Sequence, residues 1–205
     1  MIYIPIGNTC NTAEELKKHN LRHHSYPFDW LFTSLEVIED CIKDRFKFFL
    51  DKDYYYDIND ERCKHSYYQN MIRTESLVKL HKECSFCRYP DDYEWHLFNH
   101  HNLTNVNIYS AFERRCDRFL NDLDNNECCF VYMNEILDDT DDIVKFYENT
   151  IEGNDKLRVI GLIKGDSNQL KYIDKNLKIY TYTNSSYIHE ILVGSVGRAD
   201  GVGGQ

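Results

Sequence analysis

The chain has 205 residues, of which 42% are hydrophobic and 28% charged, a balance typical of one globular domain with its own core. Its formal net charge of −10 disfavours nucleic acids and anionic membranes as partners, because their phosphate groups repel an acidic surface. No stretch approaches the roughly 20 apolar residues that span a bilayer, and the first residues do not have the pattern of a signal peptide. We therefore expect a cytoplasmic protein whose eight cysteines are reduced.

The N-terminal region predicts a strand followed by a helix. Residues 2–6 alternate and contain β-branched side chains, which is typical of a buried strand. A short turn containing glycine interrupts the pattern, and Cys10 then opens a helix that continues to about residue 20. Thr12 and Glu15 have the spacing of a capping box, so we expect Thr12 to cap this helix.

The middle of the chain gives weaker patterns. Apolar residues at helical spacing predict a second helix, capped by Thr33 or Ser34 and ending at about Phe49. Residues 51–75 are polar and rich in tyrosine, and they predict an irregular excursion or one weak strand. A short strand is expected at 90–97.

The C-terminal half alternates between helical and strand patterns. Helices are predicted at 108–124 and 140–151, and strands at 128–133, 157–163 and 177–183. This order favours an α/β or α+β domain in which helices flank a central sheet. We assign residues 1–193 to that domain and expect 194–205 to be a flexible, glycine-rich tail.

Cys10 is a candidate nucleophile because of its predicted place in the fold. A helix N-terminus carries partial positive charge and free N–H groups, which favour a thiolate and can stabilise an oxyanion. The alternative is a buried core thiol, and spacing alone does not separate the two. A thiolate also needs a proton partner, but nine histidines compete and sequence spacing cannot choose among them.

A second cysteine motif, the Cys84–Cys87 pair, raises the question of a metal site. A structural zinc site would need a second pair of ligands, such as His81 or His96, and the cysteine spacing does not match a zinc ribbon, so incidental thiols are the favoured interpretation. The phosphate-binding glycine motifs that follow a strand are also missing. We therefore expect neither a metal nor an organic cofactor.

Four short motifs occur in order along the chain. They are Ile6-Gly7-Asn8-Thr9-Cys10-Asn11-Thr12-Ala13, Leu21-Arg22-His23-His24-Ser25-Tyr26-Pro27-Phe28-Asp29-Trp30, Phe98-Asn99-His100 and Phe112-Glu113-Arg114-Arg115-Cys116-Asp117-Arg118-Phe119. Together they resemble a family of papain-like cysteine peptidases found in bacteria and large DNA viruses, over roughly residues 2–135. The resemblance implies a single papain-like cysteine-hydrolase domain, with Cys10 as nucleophile and His100 as general base. His101 is the alternative base.

The resemblance leaves the third member of the site open. Papain-like sites place Asn or Asp where it orients the imidazole, and Asn134 at the end of the strand 128–133 fits that description. Asp29 is the other candidate, although an Asp beside a Pro is also a common turn residue. Asn8 is a candidate donor to the oxyanion, or else a turn residue after Gly7.

The expected function is a cysteine peptidase or hydrolase that acts on peptide or isopeptide bonds through an acyl-enzyme. A transglutaminase-type acyl transferase is one alternative, since the same Cys–His chemistry can pass the acyl group to an amine. A catalytically idle papain-like module, binding a partner protein through 51–75, is the other. The expected partner is a peptide or protein substrate, met in the host cytoplasm if the protein is viral.

Overall fold

A computed structural model describes residues 1–72, 96–98, 100–134 and 139–194. The Cys84–Cys87 pair, most of the strand expected at 90–97 and nearly all of the expected tail lie outside these residues. The boundary that we placed after residue 193 therefore stays a prediction.

The fold is α/β, with a five-stranded sheet at its centre. The strands of this sheet are β1 (Ile2–Pro5), β4 (Cys128–Asn134), β5 (Leu157–Lys164), β6 (Gln169–Ile173) and β7 (Leu177–Tyr182). Their order across the sheet is β1-β4-β5-β7-β6. The first four in that order are parallel and only β6 is antiparallel. The carboxyl ends of the parallel strands therefore meet at one edge of the sheet.

The central strands are apolar because helices cover both of their faces. All seven residues of β4 are buried, which explains its uninterrupted apolar run. Alternate β4 residues belong to different layers: Phe130 and Tyr132 face the larger core cluster, whereas Val131 and Met133 face the smaller one. The sheet thus divides the interior into two cores.

The helices form an outer layer on each side of the sheet. They are α1 (Asn11–Lys18), α2 (Leu35–Lys43), α3 (Val106–Asn125), α4 (Thr140–Thr150) and α5 (Ser185–Gly194). The smaller core takes Leu16 from α1 and Leu192 from α5. The larger core takes Ile38 from α2, Phe119 from α3 and Phe146 from α4.

Two predicted helical features are wrong. The helix that we expected to run to about Phe49 ends at Lys43, because Arg45 and Phe46 adopt left-handed backbone angles (φ 57° and 63°) that cannot continue a helix. Thr12 is not the N-cap of α1, since Cys10 occupies that position and Thr12 lies within the helix. Ser34 does cap α2, accepting a hydrogen bond from the backbone N–H of Val37 at 3.3 Å.

Four elements did not stand out in the sequence. The segment expected to be irregular or to form one weak strand contains a hairpin of two strands, β2 (Tyr55–Asn59) and β3 (Arg62–His65), and the C-terminal part adds β6 and α5. Of the five β2 residues only Tyr55 is buried, so the strand gives no clear alternation. No helix of the described residues is long and apolar enough to cross a membrane.

Candidate active site

Cys10 lies where the chain passes from β1 into α1, at the carboxyl edge of the sheet. The turn depends on Gly7, because a Cβ built there would stand 1.9 Å from Thr12 Oγ1. The carbonyl of Cys10 accepts the first hydrogen bond of α1, from the N–H of Glu14 at 3.0 Å. Its thiol therefore stands beside the N-terminal turn of a helix, the electrostatic setting that favours a thiolate.

Cys10 differs from the other described cysteines in its exposure. Its side chain is half-buried, whereas Cys41, Cys63, Cys116, Cys128 and Cys129 are buried. Burial raises the pKa of Cys63 to about 11 and of Cys128 and Cys129 to about 12, so these thiols stay protonated at neutral pH. Among the described residues, solvent and a substrate carbonyl can thus reach the thiol of Cys10 most easily.

The segment that carries the two histidines is attached to the β2–β3 hairpin. Cys63 on β3 accepts a hydrogen bond from the N–H of Leu103 at 3.2 Å. The side-chain amide of Asn102 donates to Asp57 at 2.6 Å and to the carbonyl of Asn59 at 2.7 Å. Because Asn102 is itself buried, these bonds hold residues 100–104 firmly on the hairpin.

His100 and His101 are neighbours in the chain but have different surroundings. His100 is exposed, and its ring lies 6.2 Å from the ring of Phe32. The ring of His101 packs edge-on against Phe112 at 5.2 Å, and its Nε2 is buried with no hydrogen-bond partner. Burial, together with the positive charge of Arg115, lowers the pKa of His101 to about 4, so His101 is neutral at pH 7.

Helix packing brings the His100 segment towards the carboxyl edge of the sheet. Helix α4 begins at that edge, because it follows β4. Helix α2 runs parallel to α4: Glu39 accepts a hydrogen bond from Asn149 at 3.4 Å, and Ile42 and Thr150 line one cleft near the ends of the two helices. The start of α2, and with it Phe32 beside His100, therefore lies towards the edge that carries Cys10.

Asn134 ends β4 at the same edge, on the face of the sheet that packs against α2, α3 and α4. It is buried, and its side-chain amide donates to the buried carboxylate of Asp139 at 2.5 Å. The phenol of Tyr132 donates to the same carboxylate oxygen, Asp139 Oδ2. Asp139 and Tyr132 were not predicted as site residues. The signal available was the acidic run that follows a strand ending in Asn, which does not single out Asp139.

Asp29 has a different setting. Asp29 is buried. Its Oδ2 accepts hydrogen bonds from the guanidinium of Arg22 and from the N–H of Tyr26 at 3.0 Å. Neither of these partners is an imidazole. Burial raises its pKa, and the Arg22 guanidinium opposes that rise. These bonds close the loop between α1 and α2, so Asp29 is placed to hold that loop rather than to orient a base.

Asn8 is half-buried in the bend between β1 and Cys10, which puts it close to the thiol along the chain. The parallel strands thus collect Cys10, Asn8 and Asn134 at one edge of the sheet, with His100 towards that edge. Among the described residues, no group of three or more His, Cys, Asp or Glu side chains could hold a metal ion. Thiol chemistry assisted by an imidazole is what this arrangement can perform.

One family model matches the chain. It is described as "Putative papain-like cysteine peptidase (DUF1796)" and covers residues 1–152, a span that includes all the side chains discussed above. No curated protein and no solved structure matches the chain.

Proposed function

Because the chain belongs to the DUF1796 family of papain-like cysteine peptidases, we propose that it is a thiol hydrolase acting on peptide or isopeptide bonds through Cys10 and His100. The observation that carries this proposal is the half-buried thiol of Cys10 at the first turn of α1. A core cysteine needs neither partial exposure nor a place at the start of a helix, and the other described cysteines are all buried.

The exposure of the two histidines supports His100 as the base. A general base must reach both the thiol and an incoming water, which an exposed imidazole can do. His101 is less suited to this role, because a pKa of about 4 makes its imidazolium a poor partner for a thiolate at neutral pH. We assign His101 to packing against Phe112.

Asn134 is the better candidate for the third member of the site. Its side chain lies at the carboxyl edge of the sheet, where β1 leads into Cys10, and donates to Asp139. The carboxylate of Asp29, in contrast, accepts hydrogen bonds from Arg22. In the proposed arrangement the amide oxygen of Asn134 accepts the ring N–H of His100 and orients the imidazole towards Cys10. Asn8 and the N–H groups at the start of α1 are the proposed donors to the oxyanion.

The proposed reaction has two halves. His100 takes the proton of the Cys10 thiol, and the thiolate attacks the carbonyl carbon to form a tetrahedral oxyanion. The oxyanion collapses, the C–N bond breaks, and the imidazolium gives its proton to the leaving amine, which leaves a thioester on Cys10. His100 then takes a proton from water, which attacks the thioester carbonyl; the C–S bond breaks, the carboxylic acid is released, and the imidazolium returns its proton to the Cys10 thiolate.

The proposal is tested by incubating the purified chain with a library of fluorogenic peptides and isopeptides, followed by mass spectrometry of the intact protein. We expect turnover and a trapped acyl adduct on Cys10. Cys10→Ser should lose both, and Cys128→Ser, at the amino end of β4, is the matched control for a cysteine outside the site. Product amides formed with an added amine would make the protein a transferase instead. If neither turnover nor an acyl adduct is detected, the proposal is wrong and the remaining candidate is a catalytically idle module that binds a partner protein.

A further inference from the structure

A buried group of three side chains lies directly behind the candidate site. Tyr132 and Asn134 are two residues apart on β4, so their side chains leave the same face of the sheet. Both donate a hydrogen bond to Asp139, which immediately precedes α4. A carboxylate removed from water in this way is costly unless donors satisfy it, and this pair of donors does so.

We propose that Asp139 is a positioning residue: it fixes the side-chain amide of Asn134 so that the amide oxygen, and not the amide nitrogen, is presented to the catalytic imidazole. This inference rests on the proposed function and adds to it a residue that acts without touching the substrate.

Hydrogen-bond donors and acceptors decide which way the amide of Asn134 faces. An ionised carboxylate can only accept hydrogen bonds, so the amide group that faces Asp139 must be the NH₂ of Asn134. Oδ1 then points away from Asp139 and can only accept. The ring of His100 must donate through one nitrogen and keep the other free for the thiol proton. An acceptor at Oδ1 selects that tautomer, whereas an NH₂ at the same place would select the wrong one.

The fold supplies a matched control at the opposite edge of the sheet. Asp122 near the end of α3 is also buried and accepts hydrogen bonds from a tyrosine, Tyr26 at 2.7 Å, and from an asparagine, Asn126 at 3.0 Å. This group lies beside the amino ends of the strands, next to Cys128. Replacing Asp122 removes the same kind of buried carboxylate without approaching Cys10.

The test uses the full chain and the rate at which iodoacetamide alkylates Cys10 between pH 5 and 9. We expect Asp139→Asn to slow labelling at pH 6 about tenfold and to move the pH profile towards that of a free thiol, because a neutral amide in place of the carboxylate permits the Asn134 amide to flip. Asp122→Asn should leave the rate per folded molecule within about twofold. Tyr132→Phe, which removes one donor to Asp139, gives a milder variant with a smaller loss in the same direction.

A double-variant comparison shows whether Asp139 acts through Asn134. In an Asn134→Ala background, Asp139→Asn should cause no further shift, since the amide it orients is gone. The inference is overturned, while the proposed function stands, by either of two results. One is that Asp139→Asn slows Cys10 alkylation in the Asn134→Ala background as much as in the wild type. The other is that Asp139→Asn alone has the same pH profile as the wild type. A wild-type profile already like that of a free thiol overturns both.

Discussion

His100 and His101 are adjacent in the chain, yet only His101 is half-buried, with its ring 5.2 Å from the ring of Phe112 and its Nε2 buried. His100 is exposed beside Phe32. This difference separates a candidate base from a structural residue, which the sequence alone could not do.

The two histidines should therefore respond differently to substitution. We expect His100→Ala to abolish turnover while changing the free energy of unfolding by less than about 0.5 kcal/mol, as for an exposed residue. His101→Ala should cost about 1–3 kcal/mol of stability and leave turnover per folded molecule largely intact. Urea unfolding and activity measured on the same samples check both. Loss of turnover in His101→Ala with full stability would reverse our assignment.

The Arg22–Asp29 pair gives a prediction about stability. Asp29→Asn leaves the nearly buried guanidinium of Arg22 without its counter-charge, so we expect a loss of about 3 kcal/mol in the free energy of unfolding. Turnover per folded molecule should change by less than about threefold, because we assign Asp29 to the loop between α1 and α2. A fall in kcat of about a hundredfold or more, with the fold intact, would make Asp29 the third member of the site.

His65 should make the protein sensitive to acid. It is fully buried among aromatic rings and burial lowers its pKa to about 4, whereas in the unfolded chain its pKa is about 6.5. Between these values the unfolded state binds the extra proton, so stability falls as the pH drops from 6.5 towards 4. From about pH 7.5 to pH 5 we expect a loss of about 2 kcal/mol from this residue.

Urea unfolding at about pH 7.5 and pH 5 measures this effect. His65→Phe should reduce the difference between the two pH values by about that amount, even if it lowers stability at both. His24→Gln, a substitution of an exposed histidine, should leave the difference unchanged. An unaltered difference in His65→Phe would mean that His65 is already protonated or solvated in the native protein.

The sequence predicted the central sheet better than its surroundings, and the reason is burial. The β4 run from Cys128 to Met133 is apolar throughout because helices cover both faces, and that pattern is visible without a structure. The β2–β3 hairpin was missed because four of the five β2 residues are exposed, so no alternation marks that strand, and because β3 is only four residues long. The early end of α2 depends on left-handed angles at Arg45 and Phe46, residues that carry no local signal for such angles.

The candidate site was only partly predictable for a related reason. Cys10 follows a strand and a glycine turn, which is a local pattern, and the structure places it at the first turn of α1. The Asp139 carboxylate bonds to residues five and seven positions earlier, and nothing in an acidic run shows which member folds back onto the strand. The pairing of Asp29 with Arg22 likewise depends on how a loop closes.

The central claim is that Cys10 and His100 act as a pair, and the alkylation of native protein by iodoacetamide tests it most directly. The rate at each cysteine is read by peptide mass spectrometry from pH 5 to 9, in the wild type and in His100→Ala. We predict that Cys10 reacts fastest, well below the free-thiol pKa of about 8.5, and that His100→Ala removes this advantage. A Cys10 that reacts no faster than a free thiol, or equally fast without His100, would contradict the account.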